Sequence, residues 1–210
     1  GVGSNLVYAF YDAGNLSAAE VGADYVKIAD VEAIRQQLAG RITAATAVTT
    51  SNDRMVIAGR EQDVKVIGTD EYYAQVRNHV LLAGRFLDAS DVTLREKVTM
   101  LTERLAQRLY GSQENAIGQT MKVHGLQFTV VGTFRERTST FGNSELSEET
   151  VLIPITVARY FIAVERIDPL YVQARTPEDV PAVTQGVRTI LESRHRAGAK
   201  YNVENLASIL

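Results

Sequence analysis

Short runs of apolar residues are spread along this chain, and their spacing separates segments that suit strands from segments that suit helices. Residues 4–11 are apolar and aromatic, which is typical of a strand. Val31, Ile34 and Leu38 are spaced by three and four residues, so they share one face of a helix predicted over 30–39. The chain therefore begins with a strand followed by a helix.

The clearest helix signal lies near the other end of the chain. Thr176 is a suitable N-cap and Pro177 suits the first helical position, which predicts a helix over 177–194. Alternating residues predict strands on either side of it, at 170–175 and 201–206. Because two amphipathic helices with flanking strands need a surface to bury against, we expect both helices on the same face of one sheet. The apolar stripe of the second helix consists of Val180, Val183, Val187 and Ile190.

The middle of the chain carries its own set of signals. A strand at 96–101 precedes a helix at 103–110, for which Thr102 is the predicted N-cap. His124–Gly125 lies between two alternating runs, which predicts a hairpin turn. A further strand is predicted at 151–155. Two more turns are predicted, at Ser51–Asp53 and Gly59–Asp63.

The order of these signals predicts an α+β fold with two subdomains. The β-α-β patterns at the two chain ends form a split layer, and the middle of the chain is inserted into it. We assign residues 1–81 and 166–210 to the split layer and residues 82–165 to the inserted α/β subdomain.

Composition narrows the class of protein. The chain has 22 basic and 25 acidic residues, a net charge of −3, which argues against a nucleic-acid partner. It has no cysteine, so disulfides and thiolate metal sites are excluded. No apolar run reaches the roughly 18–20 residues that cross a bilayer. The chain begins with Gly1 instead of methionine, and we expect a piece of a longer protein.

Catalytic and cofactor motifs are missing from the sequence. It contains no G-x-x-x-x-G-K loop, no strand-linked G-x-G-x-x-G and no G-x-S-x-G. The three histidines fall in different elements without metal-ligand spacing, and we interpret His124 as a hairpin-turn residue and His195 as a cation at a helix end. We therefore expect no catalytic residue, no cofactor and no metal site in this segment.

The stretch LLAGRFLDASD at 81–91 allows two interpretations. Arg85 stands near two carboxylates, Asp88 and Asp91, as an arginine beside a substrate would. Alternatively, Gly84 supplies a turn between the two layers, and Arg85 secures this junction by bonding to one of those acids. We favour the structural interpretation, with Gly84, Arg85 and Phe86 as the junction and with Phe86 and Leu87 in the core.

An ordered set of motifs gives the chain a family resemblance. Gly84-Arg85-Phe86 comes first, followed by Tyr110-Gly111, Ile117-Gly118 and Val130-Val131-Gly132. This order resembles the periplasmic core domain of MacB-type ABC-transporter permeases. Two positions depart from the family pattern: Tyr110 replaces a phenylalanine, and Lys27 stands where a threonine often caps the first helix.

The resemblance implies a porter-like layer from both chain ends and an inserted Sabre-like subdomain. It also implies a location on the periplasmic side of the inner membrane, between two membrane-spanning helices of the parent transporter. That parent would be a dimer that hydrolyses ATP in a separate cytoplasmic nucleotide-binding domain. A MacA-like adaptor and a TolC-like outer-membrane duct are the implied partners, and this segment would transmit motion without catalysing a reaction.

Two questions stay open at this point. The polar loop 135–149, with Thr140, Phe141 and Gly142 as the candidate partner contact, is either a contact surface or a solvated connector. A stand-alone α/β ligand-binding or enzyme domain is the alternative function for the whole chain. Within the transporter family, the residues fit a drug or peptide pump and a lipoprotein-release or signalling relative equally well.

Overall fold

The computed structural model describes residues 5–14, 22–137 and 144–206. The chain forms two compact units, the first from Gly1–Val48 with Ala163–Leu210 and the second from Thr49–Ile162. The first unit is thus assembled from both chain ends, and the second is inserted into it. This confirms the predicted α+β class with two subdomains.

The described residues form eleven strands and seven α-helices. The strands are β1 (Leu6–Tyr11), β2 (Ile42–Ala47), β3 (Thr49–Ile57), β4 (Arg60–Thr69), β5 (His79–Gly84), β6 (Val98–Thr102), β7 (Thr120–Val123), β8 (Leu126–Glu136), β9 (Thr150–Pro154), β10 (Leu170–Ala174) and β11 (Tyr201–Asn205). The helices are α1 (Ile28–Gln37), α2 (Tyr73–Arg77), α3 (Ala89–Thr93), α4 (Glu103–Tyr110), α5 (Gln113–Ala116), α6 (Ile155–Ala158) and α7 (Val180–Arg194), the last preceded by a 3-10 turn at Pro177–Asp179.

The first unit is a four-stranded antiparallel sheet in the order β11-β1-β10-β2 within the described residues. Its chain order, β1-α1-β2 followed by β10-α7-β11, is the split β-α-β arrangement. The second unit enters between β2 and β10, which are neighbours in this sheet. The insertion therefore interrupts a connection between two paired strands and leaves the sheet intact.

Helices α1 and α7 cover the same face of this sheet, as their apolar stripes predicted. Helix α1 packs on β2, α7 packs on β11, β1 and β10, and the two helices contact each other. The helices approach closely at Gly186, where an added Cβ would lie 2.8 Å from Leu38 Cδ2. The buried stripe of α7 consists of Val180, Val183, Val187, Ile190 and Leu191.

The second unit is built on a seven-stranded sheet in the order β3-β4-β9-β6-β8-β5, with β7 also paired to β8. The pairs β4–β9 and β6–β8 are parallel, and the other pairs are antiparallel. Helix α4 packs on β6 and β8. The core includes Leu101, Leu105, Phe128, Val130, Val151 and Ile153.

The predicted boundary at residue 81/82 is wrong. The first unit ends at Val48 and resumes at Ala163. Strand β4 pairs in parallel with β9, Lys65 opposite Thr150, and β5 pairs with β8. Residues 49–81 therefore belong to the inserted sheet, because β4 and β5 pair with strands of the second unit and β3 pairs with β4.

The predicted turn at Ser51–Asp53 is also wrong, because β3 runs unbroken through these residues. The chain reverses at Ala58 and Gly59, whose φ angles of 53° and 78° suit a two-residue hairpin. The polar run belongs to a strand at the edge of the sheet, where polar side chains remain partly exposed.

Candidate functional site

The junction at Gly84 is a close approach between two main chains. Gly84 has a φ of 73°, and a Cβ added there would lie 2.1 Å from Val131 O. Its cross-strand partner is Gly132, where an added Cβ would lie 2.0 Å from Arg85 O. The main-chain N–H of Arg85 donates to Val131 O at 2.9 Å. Two facing glycines thus let β5 and β8 meet without side chains between them.

The sequence predicted that Gly84 lies where the chain passes from one unit to the other, and this position is wrong. Both the strand that it ends and the strand opposite belong to the second unit. The junction is therefore internal to that unit, and it directs the chain from β5 into α3.

Arg85 is held by the acids that follow it. Its Nη1 lies 2.7 Å from Asp91 Oδ2 and its Nη2 lies 3.0 Å from Asp91 Oδ1, a bidentate pair. Asp88 Oδ2 is more distant, at 3.4 Å. The Asp91 side chain is 5% exposed, so its charge is compensated mainly by this arginine. The guanidinium therefore secures the start of α3.

The two carboxylates also cap α3. Asp91 N–H donates to Asp88 Oδ1 and Asp88 N–H donates to Asp91 Oδ2, each at 2.9 Å, which is a reciprocal capping arrangement. The hydrogen bond from the Asp91 main chain, with a further one from Ser90, lowers the pKa of Asp88. Phe86 is half-buried and Leu87 is buried. Arginine and acids are thus engaged with one another, which favours the structural interpretation over a substrate site.

The candidate contact residues Thr140, Phe141 and Gly142 lie outside the described residues. The segment that follows them is tied to α4. Glu149 accepts from Arg108, and Glu148 lies 3.0 Å from Arg104 Nη1. These ion pairs join the end of the polar loop to a packed helix.

Thr102 stands at the start of α4, but its hydroxyl does not cap that helix. The Thr102 Oγ1 donates to Glu148 O at 2.5 Å and accepts from Thr150 N–H at 3.2 Å. Thr102 is therefore the N-cap residue by position, as predicted, but its side chain makes no capping hydrogen bond, because the returning segment before β9 uses both hydrogen-bonding functions of this hydroxyl.

A serine, a histidine and an aspartate meet at the β7–β8 turn, which sequence motifs did not indicate. Ser51 Oγ lies 2.9 Å from His124 Nε2. Asp53 Oδ2 accepts from the main-chain N–H of His124 at 2.8 Å, and so it does not orient the imidazole. The ring packs instead against Phe161, with centroids 4.2 Å apart. The cluster lacks the base-orienting contact of a hydrolase triad, and it anchors the turn to β3.

A second cluster that the sequence did not reveal surrounds Asp30 in the first unit. The Asp30 carboxylate is buried and lies 2.7 Å from Arg194 Nε and 2.7 Å from His195 Nε2. It also accepts from the main-chain N–H of Lys27 at 2.8 Å, which supplies half of a capping box where the usual threonine is missing. His195 thus lies at the end of α7, as predicted, and contacts a carboxylate of α1.

Asp24 lies beside this cluster and is also buried. Its Oδ2 lies 2.8 Å from Arg196 Nε, and Tyr11 donates to it at 3.3 Å. Tyr201 donates to the main-chain oxygen of Asp24 at 2.6 Å, and burial, then the negative charge of Asp24, raises the pKa of Tyr201. Each carboxylate has a cationic partner, so the cluster joins α7 to the segment before α1 and leaves no acid exposed for chemistry.

In residues 5–14, 22–137 and 144–206, no three His, Asp or Glu side chains are grouped as metal ligands would be. Among the helices described, none is both long and apolar enough to span a bilayer.

The side chain of His79 is buried among aromatic rings. It is 7% exposed, and its ring centroid lies 5.0 Å from that of Tyr73 and 4.8 Å from that of Phe134. Neither ring nitrogen has a hydrogen-bond partner among the described residues. Burial, with a smaller contribution from the positive charge of Arg77, lowers the pKa of His79 to about 3. The neutral imidazole therefore serves as an aromatic core residue.

Acidification is expected to destabilise the chain through His79. The unfolded chain gains this proton near pH 6.5, whereas the folded chain stays neutral until about pH 3. The stability present above pH 6.5 is therefore lost as the pH falls through that window, by at most about 1.4 kcal/mol per pH unit. Urea unfolding across this range should show a steeper loss for the wild type than for His79→Phe.

The difference in pH dependence between the wild type and His79→Phe reports the contribution of His79 apart from those of neighbouring titratable groups. Glu136 lies opposite His79 in the sheet, and burial is the main cause that raises its pKa. Its contribution has the opposite sign, because the stability it provides at low pH is lost as the pH rises. Glu136, Arg77, Tyr73 and Glu145 all remain in the variant, so their contributions cancel. Equal slopes for the two proteins would contradict the assignment.

A family model described as the MacB-like periplasmic core domain matches residues 2–190. The macrolide export ATP-binding/permease protein MacB of Bdellovibrio bacteriovorus is 24% identical over 190 residues, which cover 88% of this chain and 29% of that protein. The chain spans less than a third of the length of the curated relatives that it matches.

Two solved structures share the fold. The periplasmic region of MacB from Actinobacillus actinomycetemcomitans has a TM-score of 0.80 at 20% identity, covering 99% of this chain and 92% of that one. The extracellular domain of the noncanonic ABC-type transporter YknZ from Gram-positive bacteria has a TM-score of 0.74 at 15% identity, covering 96% and 100%. At these identities the likeness concerns the fold alone.

Proposed function

Because the chain belongs to the MacB-like periplasmic core domain family, we propose that it transmits motion in an ABC-transporter permease and catalyses no reaction itself. The observation that carries this proposal is the family match over residues 2–190. The two-unit fold supports it, as does the pairing of each prominent acid cluster with cations of its own unit.

The ATP hydrolysis that drives transport would take place in a separate part of the parent protein. The relatives that match are named as ATP-binding/permease proteins, and this chain corresponds to less than a third of them. The sequence contains no Walker-type loop that could cradle phosphates. ATP would therefore be hydrolysed in a cytoplasmic nucleotide-binding domain, and this segment would act on the periplasmic side of the inner membrane without a cofactor.

A dimeric parent would need only weak contacts between its two periplasmic segments. Membrane helices would hold two copies at high effective concentration, so strong pairing of this segment is unnecessary. Weak contacts can change in each transport cycle at small energetic cost. We accordingly expect the isolated chain to be monomeric or weakly dimeric.

The loop at 135–149 is the proposed contact for an adaptor of the MacA type, which would lead to a TolC-like duct. The ion pairs of Arg104 and Arg108 hold the end of this loop on α4. Loops displayed on a rigid scaffold often carry binding. Thr140, Phe141 and Gly142 would supply the contact.

Deleting residues 139–143 in the full-length transporter is the test. We expect cytoplasmic ATP hydrolysis to continue while adaptor binding and export are lost, because hydrolysis would no longer be coupled to the partner. Arg60→Ala, at the exposed start of β4, serves as the control and should leave adaptor binding and export unchanged. Unchanged export after the deletion would make the loop a connector. ATP hydrolysis by the isolated 210-residue chain would refute the non-catalytic role.

A further inference from the structure

The edges of the first sheet are covered by arginines. Arg35, on α1, donates through Nε and Nη2 to Ala45 O of β2, at 3.2 and 2.7 Å. Arg188, on α7, donates to Tyr201 O and Val203 O of β11, at 3.2 and 3.1 Å. Strands β2 and β11 lie at the two edges of this sheet. These bonds occupy carbonyls that an incoming strand would otherwise use.

One edge of the second sheet is protected by polar residues. Strand β3 carries Asp53 and Arg54, and Asp53 accepts from the His124 main chain. Arg54 forms ion pairs with Glu61 and Asp63 of the neighbouring strand. Charged side chains on an edge strand disfavour pairing with another chain.

The opposite edge, strand β5, has neither kind of protection. Its sequence, HVLLAG, contains no acid, lysine, arginine or proline. Within the described residues β5 pairs only with β8, and the side chain of Leu81 is exposed at 37%. An apolar edge strand of this kind is a template for an added strand.

The hydrogen-bond pattern identifies which main-chain groups of β5 point away from β8. Arg137 N–H donates to Asn78 O at 3.3 Å, so Asn78 O faces β8. In an antiparallel ladder alternate residues face opposite directions, and the N–H and C=O groups of His79 and Leu81 therefore point away from β8. A bulge at Leu82 limits this regular stretch to His79–Leu81. The available edge is short, so binding should be weak and reversible.

We propose that the β5 edge binds an extended, acidic segment of another protein as an additional strand. Arg135, on β8, and Arg137, directly after this strand, are both exposed. Arg135 lies opposite Val80, so the side chains of Arg135 and Val80 share a face of the sheet. Glutamate or aspartate in the bound segment would meet these cations, and its apolar residues would cover Leu81.

Charge disfavours a second copy of this chain as the occupant. The β5 strand of a second copy, HVLLAG, contains no acid that could meet Arg135 and Arg137. An acidic partner supplies the carboxylates that a second copy lacks at this edge. The inference concerns the isolated chain and does not depend on the proposed transport role.

The test uses an acetylated, amidated heptapeptide in which valine alternates with glutamate. Titration into the 210-residue chain should shift the amide signals of His79–Leu81 and slow hydrogen exchange at Leu81 N–H. Leu81→Glu should weaken binding by at least about tenfold, because it removes the apolar contact and places a negative charge beside the glutamates of the peptide. Val56→Glu is the matched control, since Val56 is 64% exposed on the other edge strand, and it should leave binding unchanged.

The peptide itself supplies the remaining controls. Replacing its glutamates by lysine should weaken binding, and N-methylation at alternate residues should abolish it by removing the main-chain donors. Equal binding to Leu81→Glu, signal shifts confined to β3 or β11, or no binding at millimolar peptide would overturn the proposal. Concentration-dependent dimerisation that Leu81→Glu prevents would identify a second copy as the occupant and would also overturn it.

Discussion

Replacing Gly84 by alanine is expected to destabilise the second unit by roughly 3 kcal/mol or more. The φ of 73° disfavours any residue with a Cβ, and the added carbon would lie 2.1 Å from Val131 O. It would also lie 2.8 Å from Ile117 Cδ1. The main chain must therefore separate at the point where Arg85 N–H bonds to β8. Urea unfolding followed by circular dichroism measures the loss.

Gly59→Ala provides the matched control for this substitution. Gly59 has a similar φ of 78°, but nothing lies within 4 Å of the position that an added Cβ would occupy. Gly59→Ala should therefore lower the free energy of unfolding only through backbone strain, by about 1 kcal/mol. The difference between the two variants isolates the close approach of β5 and β8. Equal losses would mean that this approach relaxes easily and does not require glycine.

Replacing Asp30 by alanine is expected to destabilise the first unit by about 3–5 kcal/mol. The substitution leaves the largely buried His195 side chain and the Arg194 guanidinium without their carboxylate. It also removes the acceptor for Lys27 N–H at the start of α1. This substitution would thus weaken two features at once: the contact between α1 and α7, and the capping of the start of α1. Thermal and urea unfolding both measure the effect.

Asp63→Ala is the control for the buried pair. Asp63 pairs with Arg54 at 3.2 Å, but both side chains are largely exposed, and such pairs contribute little to stability. The loss of stability in Asp30→Asn should lie between those of Asp30→Ala and Asp63→Ala. The amide keeps one acceptor oxygen, but it adds a donor that faces Arg194 or His195. If Asp30→Ala were as mild as Asp63→Ala, the cluster would contribute little to the stability of this unit.

The sequence by itself determined the elements whose signals are local. Strand β1, helix α7 and the β7–β8 hairpin follow from alternation, helical spacing and turn residues. Thr176 Oγ1 accepts from Asp179 N–H at 3.3 Å, and His124–Gly125 form the hairpin turn, as predicted. The contact of Arg85 with its acids could be anticipated as well, because Asp88 and Asp91 follow within six residues.

Only the tertiary structure decided which strands become neighbours and which charges meet. The boundary at Val48 depends on the pairing of β4 with β9, and the polar run from Ser51 to Asp53 is a strand only because β4 lies beside it. Arg194 meets Asp30 across 164 residues, and no local pattern indicates that contact. Caps and turns are set by a few adjacent residues, whereas strand pairing and buried ion pairs depend on how the whole chain buries its apolar faces.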